Sequence, residues 1–115
     1  MGVPRAGDNC GMRNLFRNIT PPIEDEFFET LVSSQDVQVE RIVSKGQTSP
    51  ARGWYDQEKN EFVLLLKGAA RLEFDDGRVE QLAPGDWLDI AAHRRHRVAW
   101  TEAGTETVWL AVHYN

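Results

Sequence analysis

The sequence predicts an all-β fold, a barrel or sandwich of short strands, preceded by one helix. From Ser34 onward, apolar and polar residues alternate with the period of a strand. Glycine, proline and aspartate residues separate the apolar segments at short intervals, as turns do. No helical pattern interrupts these segments, which is typical of sandwiches and barrels.

The N-terminal part predicts a lead segment and one helix. Residues 1–12 are rich in glycine and polar residues. Thr20 suits a helix N-cap, a proline follows at the first helical position, and acidic residues come next, where they complement the helix dipole. Apolar residues recur near helical spacing over residues 21–33. We therefore divide the chain into residues 1–34, the lead segment and helix, and residues 35–115, the barrel.

The strands follow in order. Residues 37–43 alternate and predict the first strand, and Asp76-Gly77 predicts a tight hairpin turn further on. Residues 62–66 and 108–112 are apolar on both faces, although a barrel strand with one face in water needs only one. The helix or a second subunit has to cover the extra apolar face, and on this ground we expect a homodimer.

Composition and charge exclude several classes of protein. The 115 residues, 41% of them hydrophobic, suffice for one domain with a core, and there is no internal repeat. The net charge of −5 argues against a nucleic-acid partner. No apolar run could span a bilayer and no apolar signal sequence is present, so we expect a cytoplasmic protein without a membrane partner.

Two motifs carry the functional signal. The first includes E-F-V-L-L-L-K-G at residues 61–68, and the second is A-P-G-D-W-L-D-I-A-A-H-R-R-H-R-V at residues 83–98. Together they resemble the two motifs of the cupin family, G-x5-H-x-H-x3,4-E-x6-G and G-x5-P-x-G-x2-H-x3-N. The resemblance covers residues 37–114. It implies a single, jelly-roll-like cupin barrel that binds a divalent metal (iron, manganese, nickel or zinc) and a small molecule.

The resemblance implies that Glu61 and His96 are metal ligands. Glu61 shares a strand face with Val63, so it points into the cavity if Val63 lines the barrel. A carboxylate in apolar surroundings needs a partner. We expect His96, Val98 and Trp100 to face the cavity together. The structural alternatives are a solvated carboxylate at the rim and a core histidine bonded to a backbone carbonyl.

The two histidines of the first family motif are missing, since the first 92 residues contain no histidine. The family spacing places either Trp54-Tyr55-Asp56 or Tyr55-Asp56-Gln57 at these positions. Asp56 or Gln57 could complete a harder and weaker metal site through oxygen. Alternatively the cavity holds no metal and binds an organic ligand through Arg52, Trp54 and Tyr55.

Two further histidines are candidates for the ligand pocket. His93 occupies a turn position at which the family often has glycine, and it either swings into the cavity or caps its own turn. His113 shares a face of the last strand with Trp109, and it either faces the cavity or is a hydrogen-bonded core residue.

Several arginines suggest a preference for an anionic ligand. Arg94, Arg95 and Arg97 flank the histidines, and Arg52 would join them at the mouth of the barrel. A solvated turn with neighbouring salt bridges explains the same residues without a ligand.

Three functional hypotheses therefore stand side by side. The first is a metal-dependent cupin that binds a small anionic molecule, and the sequence leaves open whether it is an enzyme. The alternative is a metal-free binding or sensing module without catalysis. A third hypothesis is a metal-free proton-transfer enzyme, in which His96 and Glu61 act as the base, as in sugar-nucleotide epimerases of related fold.

Overall fold

The computed structural model describes residues 11–19, 26–46 and 53–115, and this part of the chain is all-β, as predicted. The strands are β1 Phe27–Ser33, β2 Val37–Ser44, β3 Asn60–Lys67, β4 Ala70–Phe74, β5 Val79–Leu82, β6 Trp87–Ile90, β7 His96–Thr101 and β8 Thr107–Tyr114. They form a five-stranded antiparallel sheet in the order β1-β2-β8-β3-β6 and a three-stranded antiparallel sheet in the order β5-β4-β7.

The core lies between the two sheets and follows from the alternation along each strand. On β3, Val63 and Leu65 are buried, and on β4 the buried positions are Ala70, Leu72 and Phe74. Apolar residues of both sheets belong to one hydrophobic cluster. The two sheets therefore enclose a common interior, as two packed layers of secondary structure do.

The predicted helix is wrong wherever the structure describes it. Residues 1–10 and 20–25 lie outside the described residues, whereas Phe27–Ser33 is strand β1. β1 pairs antiparallel with β2, with Phe27 opposite Val43 and Ser33 opposite Gln38. This pairing gives hydrogen-bond partners to the backbone of β2. Tertiary pairing therefore outweighs the helical spacing of the apolar residues, which was a weak signal because aromatic residues also favour strands. The described residues contain no helix that could cross a membrane.

Strand β1 forms an apolar edge of the five-stranded sheet. All four of its apolar residues have more than a third of their surface exposed: Phe27, Phe28, Leu31 and Val32. On the outer face of β2, buried Arg41 donates hydrogen bonds to the carbonyls of Leu15 and Arg17, so the segment 11–19 lies over part of that face. The apolar residues of β1 remain exposed at the edge of the sheet.

Two glycines mark the turns that position the site. Gly77 has φ 92° in the predicted β4–β5 hairpin, where its N–H donates to the carbonyl of Phe74. Gly68 ends the first motif with φ 88°, and an added Cβ would lie 2.4 Å from Thr107 Oγ1 and 2.8 Å from Thr107 Cα. Gly68 is therefore needed both for its backbone conformation and for the close approach of β8.

Candidate functional site

A cavity of about 70 Å³ lies between the sheets. It exceeds the ~10–15 Å³ that a single water molecule requires. Apolar residues of β1, β2, β3, β4, β6, β7 and β8 form much of its wall. Its polar lining consists of Glu26, Glu40, Tyr55, Gln57, Glu61, His96 and His113. The cavity thus combines an apolar wall with carboxylates and imidazoles.

His96 and Glu61 meet in this cavity. Their side chains are 6% and 8% exposed, and His96 Nε2 lies 3.2 Å from Glu61 Oε1. The backbone of His96 forms two hydrogen bonds with that of Tyr55, which fix the first residue of β7. On the other side of the ring, His96 Nδ1 lies 2.9 Å from the carbonyl oxygen of Arg94. A carbonyl only accepts, so Nδ1 carries a proton and Nε2 faces the carboxylate.

A proton or a metal cation between His96 Nε2 and Glu61 Oε1 removes a repulsion between the two atoms. If His96 is neutral, its protonated Nδ1 leaves a lone pair on Nε2 that points at a carboxylate oxygen. Burial by itself would lower the pKa of His96, but the hydrogen bonds to Glu61 and the Arg94 carbonyl, with the charge of Glu61, raise it overall. The raised pKa of His96 favours a proton between the two groups, at a position that a metal cation could also occupy.

His113 and Glu40 extend this arrangement. His113 Nε2 lies 2.7 Å from Glu40 Oε1 and 3.9 Å from Glu61 Oε2, and all three residues line the cavity. His113 stands opposite Glu61 in the β3–β8 pairing. Of the two alternatives for His113, the structure therefore supports a position in the cavity wall, with Glu40 as its hydrogen-bond partner.

Sequence reasoning missed two carboxylates of the cavity, Glu40 and Glu26. The alternation along residues 37–43 predicts a strand but does not show which of its two faces lies inside. The structure turns the face with Glu40 and Ile42 toward the cavity. Burial raises the pKa of Glu26, a hydrogen bond from Ser44 partly offsets the rise, and the charge of Glu61 adds to it. The wall therefore contains three carboxyl groups and, among the described residues, no lysine or arginine.

The segment that replaces the family's first two histidines sends Tyr55 and Gln57 to the cavity wall. Asp56, between them, is not part of the cavity lining. Its carboxylate pairs with His93 Nδ1 at 2.7 Å and with Arg95 Nε at 3.3 Å, and the hydrogen bond from His93 is the main cause of its lowered pKa. Of the two oxygen donors considered for a metal, only Gln57 is therefore placed to contribute.

His93 lies outside the cavity, with 65% of its side chain exposed. Its φ of 63° is a left-handed conformation, which explains why glycine suits this turn in the family. Its N–H donates to the carbonyl of Gln57, so the backbone of His93 holds the segment that carries Tyr55 and Gln57.

Two tryptophans assigned to the pocket are also absent from the cavity lining. Trp54 lies under the guanidinium of Arg97 at 4.8 Å. The expectation that Trp100 faces inward is wrong, because the β4–β7 register shifts between Val98 and Trp100. This irregularity reverses the alternation, and Thr101 is buried in place of Trp100. Arg52 lies outside the described residues.

The other arginines of the predicted mouth pair with surface carboxylates. Arg94 binds Asp75 and Asp76 at 2.8 Å each, and Arg97 binds Glu73 at 2.6 Å. Neither lines the cavity, and nor does Arg95. The geometry matches salt bridges of a solvated turn, and the cavity wall contains carboxyl groups but none of these three arginines.

The imidazole and carboxylate groups of the cavity are donors that suit a divalent metal, although they do not all converge on one position. Two donors that bind one ion at about 2.1 Å, separated by 90–109°, lie roughly 3.0–3.4 Å apart. The 3.2 Å between His96 Nε2 and Glu61 Oε1 falls in this range. The carbonyl of Arg94 accepts a hydrogen bond from His96 Nδ1 and so holds the ring with Nε2 toward the cavity, as such acceptors do for metal-ligating histidines. Within residues 11–19, 26–46 and 53–115, however, no three His, Cys, Asp or Glu side chains already converge on a metal position.

Comparison with known proteins establishes the family. The sequence profile of the Cupin domain matches residues 39–113, so this chain belongs to the cupin family. It is similar to a solved structure from Ralstonia eutropha JMP134 named a "putative mannose-6-phosphate isomerase", at 42% identity over 91% of this chain and 98% of the other, with a TM-score of 0.87.

Other similarities concern the fold. A cupin superfamily protein from Desulfitobacterium hafniense DCB-2 is 21% identical over 84% of this chain and 83% of its own, with a TM-score of 0.69. A cupin domain from Bordetella pertussis Tohama I is 19% identical over 78% and 93%, with a TM-score of 0.62. No functionally curated protein matches the chain.

Proposed function

We propose that this cupin binds a divalent metal ion in its cavity and, with the metal, a small molecule that has oxygen donors. The observation that carries the proposal is the His96–Glu61 pair, which is buried, oriented by the Arg94 carbonyl and separated by a distance that suits two ligands of one ion. Imidazole with carboxylate favours iron, manganese, nickel or zinc over calcium.

The cavity charge sets an order of binding. The wall has three carboxyl groups, so an anionic molecule is repelled until a cation is present. When bound, the metal supplies a Lewis acid that polarises a ligand oxygen. Tyr55 and Gln57 can donate hydrogen bonds to the same molecule, and the apolar wall excludes water around it. We therefore expect small carboxylates to bind only to the metal-loaded protein.

One observation favours a second candidate function, isomerisation of an α-hydroxycarbonyl compound. The R. eutropha protein, at 42% identity, has a name that refers to such a reaction on a sugar phosphate. Such an isomerisation moves one proton between neighbouring carbons and a second proton from the hydroxyl oxygen to the carbonyl oxygen. The carboxylate of Glu61 could take the proton from one carbon and return it to the next, and protonated His96 could give a proton to the carbonyl oxygen and recover one from the hydroxyl. The acidic wall does not favour a phosphate, so we expect neutral hydroxyaldehydes to be the better substrates.

Metal titration tests the proposal. Chelator-stripped protein is titrated with Mn²⁺, Zn²⁺ or Ni²⁺ in a calorimeter, as wild type, Glu61→Gln and His96→Ala. We expect about one ion per chain in wild type, and a loss of affinity of at least about tenfold in each variant, because each removes a direct ligand.

Asp56→Asn is the matched control, since Asp56 also pairs with a histidine but outside the cavity. Its metal affinity is expected to equal that of wild type. Wild type that binds no metal, or equal binding by the Glu61 and His96 variants, refutes the metal site and leaves the metal-free binding module.

A further inference from the structure

We propose that Glu40 and His113, on β2 and β8, supply the metal donors that the first motif of this chain lacks. The site would then contain two imidazoles and two carboxylates, from β2, β3, β7 and β8. This inference rests on the proposed function, because it names further donors for the same ion. Neither Glu40 nor His113 lies in the motifs that identify the family.

The four side chains form a series in which each donor atom lies near a donor atom of the next residue. Glu40 Oε1 lies 2.7 Å from His113 Nε2, which lies 3.9 Å from Glu61 Oε2, and Glu61 Oε1 lies 3.2 Å from His96 Nε2. For ligands of one ion these separations should be about 3.0–3.4 Å. His113 therefore has to approach Glu61 by roughly 0.5 Å, which is within the reach of side-chain rotation.

Charge balance favours the four-donor site. Two carboxylates with two neutral imidazoles carry a charge of −2, which a divalent cation neutralises, and a neutral complex is favoured where water is scarce. Ligation by His113 Nε2 also ends its hydrogen bond to Glu40. Because a partly buried carboxylate without a partner is costly, Glu40 gains most by binding the same ion.

A plain ion pair between Glu40 and His113 is the competing explanation. The chain contains a comparison pair, His93–Asp56, with the same Nδ1/Nε2-to-carboxylate distance of 2.7 Å. That pair is exposed and lies outside the cavity lining, so it shares the chemistry of Glu40–His113 but not the position. Variants of the two pairs therefore separate metal ligation from ion pairing.

The test is a Co²⁺ titration of the chelator-stripped full chain, followed by the visible absorption of the bound ion. We expect His113→Gln and Glu40→Gln each to weaken Co²⁺ binding by at least about tenfold and to change the absorption spectrum, as removal of a ligand does. The matched controls, His93→Gln and Asp56→Asn, should bind like wild type.

If wild type binds Co²⁺ and the cavity variants bind it equally well, Glu40 and His113 are not ligands, although the metal site of the proposed function stands. If wild type binds no Co²⁺ and no Zn²⁺, both proposals fail together.

Thermal unfolding shows whether the variants are folded, and a second measurement does not depend on them. In histidine ¹⁵N spectra of wild type, Zn²⁺ should shift the ring nitrogens of both His96 and His113 and leave those of His93 unchanged. A shift confined to His96 overturns the inference.

Discussion

Removal of the His96 imidazole from the metal-free protein should cost far more stability than removal of the His93 imidazole. Both histidines face a carboxylate, and the distance is shorter for His93, at 2.7 Å against 3.2 Å. The two pairs differ in burial, since His96 and Glu61 are less than 10% exposed, whereas His93 and its partner are 65% and 38% exposed. Burial, and not distance, therefore decides the comparison.

The expected magnitude follows from the partner that remains. His96→Gln leaves Glu61 buried without its charge partner, and breaking a buried pair in this way costs about 3–5 kcal/mol. His113, 3.9 Å from the other oxygen of Glu61, compensates in part, so we expect about 3 kcal/mol, or a fall of roughly 12 °C in Tm at about 4 °C per kcal/mol. His93→Gln should change Tm little, because water and salt screen an exposed pair.

The assay is urea and thermal unfolding in the presence of a chelator, with both variants at pH 6, where the His96–Glu61 pair is protonated. Equal losses for the two variants, or a His96→Gln variant as stable as wild type, would refute the argument that burial gives the pair its strength.

Three further predictions concern pH, backbone and assembly. The pKa of His96 is raised in the folded state, so its contribution to stability is complete below the unfolded pKa of about 6.5 and is lost as pH rises through the folded pKa. In the presence of a chelator, the free energy of unfolding of wild type should therefore fall above neutral pH. The His96→Gln variant should not show that fall. Gly68→Ala should lower the free energy of unfolding by about 2–5 kcal/mol, because the residue has a positive φ and an added Cβ would collide with Thr107. Gly77→Ala should lower it by about 1–2 kcal/mol, because Gly77 has a similar φ but open space around it. Equal urea midpoints for the two variants would contradict this reasoning. We expect sedimentation to show a homodimer that Leu31→Glu on the exposed edge of β1 dissociates, and a wild-type monomer at tens of micromolar would rule out the dimer.

Local patterns were enough for much of this protein. Alternating residues and turn glycines predict the strands, because a strand's side chains alternate whatever its partner is. The spacing around Glu61 and His96 identifies two residues that the structure brings to one cavity, because each lies at a fixed distance along the chain from a turn that sets its strand.

Tertiary structure decided what depends on distant partners. Strand β1 is a strand because it pairs along β2. Alternation shows that Glu40 and the neighbouring valines face opposite ways, but only closure of the barrel determines which face lies inside. Glu40 and His113 are 73 residues apart and meet only because β2 and β8 are neighbours. Periodicity is a property of one segment of the chain. Which face of a strand lies inside, and which residues line a cavity, are set by contacts between segments.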